Sequence, residues 1–245
     1  MQSAKSNDLR NFLRRLLAFN CAVAGVISCL TLIGWTTGAS LLTNYAPSFT
    51  AMNPTTAVAL ATLMVALFLR RDEAKPAAGR IFSLTLAAAA TAVGALCFLS
   101  YLADVSIPID QFLFGGSLDG NRIAPNTALC LALLGLSLLL IDRTWFGEFR
   151  PGQLAALGAA IVSFLSIVGY GYGTKWLYGI PSFIPMALPT AIAVHVLAWG
   201  VLCARPTAGL MVAVTSDCLG GVMARRLIPA ALAFPDLRLT LPNYC

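Results

Sequence analysis

The chain has 245 residues, of which 58% are hydrophobic and 11% are charged, and its mean hydropathy is +0.81. A soluble domain is about 25% charged, so this composition excludes an ordinary soluble protein. The net charge of +6 would suit a nucleic-acid partner, but the cations lie in short segments between apolar runs. We therefore expect no nucleic-acid binding.

Six apolar runs without Asp, Glu, Lys or Arg are long enough, or nearly so, to cross a hydrocarbon core, which takes roughly 20 residues. Because backbone in lipid must bond to itself, each run is predicted to be a helix. In chain order they are Leu16–Thr36, Pro54–Leu69, Ile81–Ala103, Ala124–Ile141, Leu154–Gly173 and Met186–Ala204. The predicted fold is an all-α integral membrane protein with about six transmembrane helices, arranged as three tandem helical hairpins.

Positive charges favour one side of this topology. The favoured side holds Lys5, Arg10, Arg14, Arg15, Arg70, Arg71, Lys75, Arg80, Arg143, Arg150, Arg205, Arg225 and Arg226, whereas the other holds Arg122 and Lys175. By the positive-inside rule this places the N-terminus in the cytoplasm, in a multi-pass protein of the bacterial inner membrane. The first run is full length without a cleavage site, so we expect it to remain as a membrane helix. Residues 1–15 are predicted to be a cytoplasmic segment, 16–204 the membrane domain, and 205–245 a cytoplasmic or interfacial segment.

A repeated motif opens the second helix of each hairpin. Met52–Ala57, Ile123–Ala128 and Met186–Ala191 are similar, and the runs they open end near Arg70, Arg143 and Arg205. The first helix of each hairpin ends in a small residue and an aromatic: Gly34-Trp35, Ser100-Tyr101 and Gly169-Tyr170. The period predicts three similar helical units.

Two interpretations of the repeated motif remain open. Pro suits a first helical turn and Thr or Asn can cap it, so the favoured interpretation is a helix start at the membrane surface. The alternative is a ring of three helix N-termini, with aromatic residues above, that holds a small anionic or polar ligand. The aromatic residues before the second helix of the third hairpin form either a belt at the membrane–water interface or a pocket for an apolar signal molecule. The candidate residues are Met52, Pro54, Thr56, Tyr170, Trp176, Tyr178, Met186 and Thr190.

Polar residues inside the predicted spans are candidates for function. His195 is the single histidine, and an ionisable group in a span is a functional candidate by default. We favour a neutral ring hydrogen-bonded to a neighbouring helix over a haem ligand. Asn20 and Asn126 are predicted to bond across helices, each contributing about 1 kcal/mol.

No motif indicates catalysis. The chain lacks a Walker A loop, a GxSxG motif with a partner histidine, HExxH and an intramembrane carboxylate pair, and its seven cysteines show no CxxC spacing. We expect no enzymatic activity, no metal and no cofactor, and the missing intramembrane acid makes an ion-driven carrier less favoured.

Five segments together resemble the N-terminal multi-spanning region of bacterial sensor proteins: Leu177–Gly179, Met186–Ala191, Gly209–Met211, Thr215–Asp217 and Gly220–Ala231. In that family a membrane array precedes PAS domains and a histidine kinase or a diguanylate cyclase. The resemblance covers roughly residues 18 to 232 and implies a sensory input module that passes a signal to a cytoplasmic transmitter, as a homodimer by analogy.

The resemblance ends near Ala233, and Leu239–Cys245 is too short for a transmitter domain. We therefore expect a truncated or frame-shifted relative of these sensors, whose partners are the lipid bilayer and either a cytoplasmic transmitter, a kinase or a cyclase, or a second copy of the chain. A small carrier or channel subunit and a structural membrane partner are the alternatives.

Overall fold

The computed structural model describes residues 2–44, 49–71, 76–105, 121–145, 150–173, 185–206 and 209–215. Within these ranges the regular structure is entirely helical, as predicted. The helices are α1 (Gln2–Thr37), α2 (Ser40–Asn44), α3 (Pro54–Leu69), α4 (Ala77–Leu102), α5 (Pro125–Leu139), α6 (Pro151–Tyr172), α7 (Leu188–Ala204) and α8 (Leu210–Thr215).

In the part of the chain that the structure describes, three helices are long and apolar enough to cross a membrane: Asn11–Thr37 of α1, Ala77–Leu102 and Pro151–Tyr172. The shorter apolar helices α3, α5 and α7 contain 16, 15 and 17 residues, which at 1.5 Å per residue is about 24 Å. These are the helices of an α-helical membrane protein, with long and short apolar helices alternating along the chain.

Local sequence explains where the helices begin and end. The Asn53 side chain accepts a hydrogen bond from the Thr55 N–H at 2.9 Å, and Pro54 occupies the first turn of α3, where its missing N–H is not needed. Gly173 ends α6 with φ of +67°, a left-handed conformation that glycine adopts without steric cost. Helix α1 begins at Gln2, well before the predicted span, because helical hydrogen bonding does not require apolar side chains.

The helices form three similar units around a common axis. Helices α3, α5 and α7 contact one another, and we call them the inner helices. Helices α1, α4 and α6, the outer helices, each pack against two inner helices: α1 against α3 and α7, α4 against α3 and α5, and α6 against α5 and α7. The predicted arrangement in three helical hairpins agrees with this contact pattern.

Equivalent apolar side chains fill the centre of the bundle. On each inner helix they lie at the middle of the buried face, opposite the exposed side chains, and each is at most 2% exposed. All nine belong to one buried apolar cluster, and we group the equivalent positions of the three helices as layers: Leu60, Leu131 and Val194; Leu63, Leu134 and Leu197; Leu67, Leu138 and Val201. The axis is therefore a packed hydrocarbon core.

Small residues let the outer helices approach the inner ones closely. A Cβ added at Gly94 of α4 would lie 2.5 Å from the backbone nitrogen of Ala132 and 2.7 Å from the carbonyl of Ala128 on α5. A Cβ at Gly152 of α6 would lie 2.7 Å from the Ser137 carbonyl. This is backbone-to-backbone packing of the kind that associates helices in lipid.

Candidate functional site

The same aromatic hydrogen bond occurs in all three units, at the end of the bundle where the inner helices begin. We call this the proline end. The Trp35 indole donates to the carbonyl of Met52 at 2.8 Å, the Tyr101 hydroxyl to that of Ile123 at 2.7 Å, and the Tyr170 hydroxyl to that of Met186 at 2.8 Å. The three acceptors occupy equivalent positions, four residues before a threonine. These bonds, named here the aromatic clamps, tie each outer helix to the inner helix that follows it.

A second contact reinforces two of the clamps one turn deeper. The Thr31 hydroxyl lies 3.4 Å from the Met52 sulfur, and the Ser166 hydroxyl lies 3.5 Å from the Met186 sulfur. In the middle unit, Cys97 packs in an apolar cluster with Ile123. The first and third units therefore share a polar contact that the second replaces with an apolar one.

The predicted ligand residues at the proline end are mostly buried. Met52, Pro54, Thr56, Met186 and Thr190 are buried, Tyr170 is half-buried, and Trp176 and Tyr178 lie outside the described residues. The inner helices bring Thr56 and Thr190 around one axis, with Thr127 as the third equivalent. These positions are therefore packed inside the bundle at the start of the inner helices. Tyr170 contributes the hydrogen bond from its hydroxyl to the Met186 carbonyl.

Further contacts join the first and second units at this end. The Asn53 side chain donates to the carbonyl of Asn121 at 3.1 Å, and the Asn121 side chain donates to the carbonyl of Ala51 at 3.0 Å. The ring of Phe49 meets that of Tyr170 edge to face at 5.0 Å, which links the first unit to the third. Asn126 lies in the first turn of α5 and is half-buried.

The opposite end of the bundle, which we call the arginine end, carries an ion-pair cluster. Arg70 Nη2 lies 2.7 Å from Asp142 Oδ2, and Arg205 Nε and Nη2 lie 3.0 and 2.9 Å from Asp142 Oδ1. The arginine side chains are 6% exposed and the aspartate 33%. One residue from the end of each inner helix thus meets the other two.

The cations that follow the three inner helices in the sequence do not have equivalent contacts in the structure. After α5 the residue that meets Arg70 and Arg205 is Asp142, whereas Arg143 is exposed. A third arginine at this point would have put three buried like charges together, and the carboxylate instead bridges the other two.

Burial and charge act in opposite directions on the groups of the cluster. Burial alone would raise the pKa of Asp142, but the charge and hydrogen bonds of Arg205, together with the charges of Arg70 and Arg80, hold it below its ordinary value of 3.8. Burial lowers the pKa of Arg70, and Asp142 opposes this shift. Arginine remains charged in proteins, so the cluster holds one carboxylate between two buried guanidinium groups.

Backbone carbonyls and Gln153 complete the arginine end. Arg205 Nη1 donates to the carbonyls of Arg70 at 3.1 Å and Ala204 at 2.9 Å, as a cation at a helix C-terminus should. The buried side chain of Gln153, on α6, donates to the Arg205 carbonyl at 3.5 Å and accepts from the Leu210 N–H at 2.6 Å.

His195 lies in a small polar network between α6 and α7. The Trp199 indole donates to His195 Nε2 at 3.0 Å, while Nδ1 lies 3.2 Å from the Ser163 hydroxyl and 3.3 Å from the Ala160 carbonyl. Because Nε2 accepts a hydrogen bond and is therefore unprotonated, Nδ1 must carry the ring hydrogen of the neutral imidazole and donate it. This assignment gives a neutral ring whose free lone pair is already used, which argues against a metal or haem ligand.

Asn20 is the remaining predicted polar residue. It is buried in α1 near Gly200 of α7, and its Nδ2 has no hydrogen-bond partner. In the described part of the chain no three His, Cys, Asp or Glu side chains are grouped so that they could hold a metal.

Sequence reasoning missed Asp142 and Gln153. The signal available for Asp142 was its position directly after an apolar run, where the other two inner helices have arginines. Gln153 gave a weaker signal, as a polar residue one position before the predicted fifth span. In comparisons with protein-family models, curated proteins and solved structures, nothing matches this chain.

Proposed function

We propose that this chain is a non-catalytic sensory input module of a bacterial signalling protein, with six spans in the inner membrane and its N-terminus in the cytoplasm. The observation that carries the proposal is the position of α7. This helix is attached to the Tyr170–Met186 clamp at the proline end and to Asp142 through Arg205 at the arginine end. A rigid helix held at both ends transmits a displacement from one membrane face to the other.

The clamps support a spanning role for the short inner helices. At about 24 Å they fall short of a hydrocarbon core of about 30 Å, so the segments before them would lie below the membrane surface. Non-helical backbone is tolerated at that depth only when it is enclosed and hydrogen-bonded. The carbonyls of Met52, Ile123 and Met186 meet this condition, since each accepts the hydrogen bond of one aromatic clamp.

Charge distribution supports the proposed orientation. Arg70, Arg80, Arg150 and Arg205 all lie towards the arginine end, next to helix termini found there. Arg122 lies at the proline end, where its guanidinium is 5.7 Å from the centre of the Tyr101 ring. The excess of cations at the arginine end supports a cytoplasmic position for it, by the positive-inside rule.

The filled axis argues against the alternative of a channel or carrier subunit. Three layers of leucine and valine occupy the centre of the inner helices, and a solute path would require polar groups or a cavity there. His195 does not line this axis, because it faces Ser163 of α6.

The proposal is tested by joining a diguanylate cyclase transmitter to the C-terminus of the full chain and measuring its cyclic dinucleotide product in bacterial membranes. We expect Tyr170→Phe, which removes one clamp, to change the output. Tyr172→Phe, a matched change at an exposed residue of the same helix, should leave the output unchanged. Equal output from all three proteins would contradict a sensory role.

A flux assay in proteoliposomes separates the alternatives. Passage of small ions or sugars through the purified wild-type chain would favour a carrier or channel and overturn the proposal. Tagging the 72–75 and 106–120 segments for accessibility tests the topology, since the first should be reached only from the cytoplasm.

A further inference from the structure

At the arginine end, Gln153 connects the residue that ends α7 with the first residue of α8. We propose that Asp142, by bridging Arg70 and Arg205, is an electrostatic latch that fixes the end of α7 and the start of α8, and that opening this latch is the output step of the module. This inference rests on the proposed function, because it assigns the step by which a movement of α7 would reach a transmitter.

The first support is that one carboxylate holds two buried cations. Arg70 and Arg205 are each 6% exposed in their side chains, and Asp142 is the acidic partner that both contact. Among the described residues Arg70 Nε has no hydrogen-bond partner, whereas Nη2 of the same guanidinium bonds to Asp142. If the carboxylate is lost, two guanidinium groups remain buried beside each other, which is strongly unfavourable.

The second support is that the latch and the start of α8 share one residue. Gln153 bonds both to the carbonyl of Arg205 and to the N–H of Leu210. Between these two contacts the chain turns through Gly209, whose φ is +60°. A shift of Arg205 away from Asp142 therefore moves the carbonyl that Gln153 holds and weakens the attachment of α8 to α6.

The third support is that the latch joins all three units. Asp142 follows α5, Arg70 follows α3, and Arg205 follows α7, while Gln153 belongs to α6. The contacts of Asp142 span 63 and 72 positions of the chain. Sliding or rotation of one inner helix against the others would therefore change the contacts that Asp142 makes with Arg70 and Arg205.

The latch is tested by hydrogen exchange, read by mass spectrometry, on the full chain in lipid nanodiscs. In Asp142→Asn we expect the amides of Leu210 and Val212 to exchange at least tenfold faster than in the wild type. The amides of Ala128 and Ala191, at the opposite ends of α5 and α7, should keep their wild-type rates. Asp104→Asn is the matched control, because Asp104 is an exposed aspartate after α4 and should alter neither region.

A double variant separates charge from packing. Arg70→Gln combined with Asp142→Asn removes one of the two buried cations, so it should recover part of the protection at Leu210. No recovery would show that the loss in Asp142→Asn does not come from repulsion and would overturn the latch. Unchanged exchange at Leu210 and Val212 in Asp142→Asn, or equal acceleration at Ala128 and Ala191, would also overturn it.

The exchange experiment and the transmitter fusion together distinguish failure of the latch from failure of the proposed function. Faster exchange at α8 with no change in fused cyclase output would show that Asp142 fixes α8, but it would refute both the sensory role and the assignment of latch opening as the output step. If Tyr170→Phe changes the cyclase output but Asp142→Asn does not change hydrogen exchange at α8, the proposed function stands and the latch is refuted.

Discussion

The hydroxyl of Tyr170, near the end of α6, donates a hydrogen bond at 2.8 Å to the carbonyl of Met186, two residues before α7 begins. Tyr170→Phe removes this donor and leaves a partly buried carbonyl without it, which should lower the free energy of unfolding by about 1 kcal/mol. Thermal unfolding in detergent should show the loss. Tyr172→Phe makes the same chemical change at a residue that is 56% exposed, and an equal loss there would contradict the clamp.

Gly94 lies where α4 meets the backbone of α5. Gly94→Ala places a methyl group 2.5 Å from the Ala132 nitrogen, so the two helices must separate, at a cost of about 1–3 kcal/mol. Gly79→Ala, in the first turn of the same helix, meets no atom within 4 Å. It should be neutral or stabilising, because alanine favours helix more than glycine does. Comparing the two unfolding curves checks the prediction, which fails if both variants behave alike.

His195 is the single histidine of the chain, so its ring nitrogens can be observed without overlap by nitrogen NMR of histidine-labelled protein. We expect one protonated nitrogen, Nδ1, and one unprotonated nitrogen, Nε2, at pH 7. Trp199→Phe removes the 3.0 Å donor to Nε2 and should shift the Nε2 resonance. A doubly protonated ring, or an Nε2 signal that ignores the substitution, would contradict the assigned tautomer.

The helical units were predictable because hydropathy and the repeated motif are local properties. Pro54–Leu69 was predicted with its exact bounds, since proline and asparagine mark its start and Arg70 its end. Trp35, Tyr101 and Tyr170 were expected only as interface aromatics. Their hydrogen bonds depend on where the backbone carbonyl before the next helix lies in the folded chain. The residue type of an aromatic side chain does not specify that position.

The pairing at the arginine end could not be predicted for a different reason. Charged residues between apolar runs are usually solvated, and nothing near Asp142 in the sequence indicates a partner 63 or 72 residues away. Only the convergence of the three inner helices brings Asp142 between Arg70 and Arg205. The buried polar cluster is therefore a consequence of tertiary packing, although the repeat that causes the convergence is visible in the sequence.

Asp142 makes the stability of the arginine end depend on pH. Its pKa is below the ordinary value of 3.8 because Arg205 and Arg70 outweigh the effect of burial, with a smaller contribution from Arg80. A carboxylate with a depressed folded-state pKa contributes stability that is fully present above its ordinary pKa and is lost as the pH falls through the folded value.

The check is the melting temperature in detergent, measured from pH 7 down to below pH 3.8. In the wild type it should stay level and then fall, and the fall should exceed the one caused by protonation of the other carboxylates. Asp142→Asn should start lower and lose this additional fall, because its side chain no longer titrates. Asp104→Asn, at an exposed aspartate, should follow the wild type throughout. Parallel curves for wild type and Asp142→Asn over the acidic range would show that Asp142 does not stabilise the bundle through its charge.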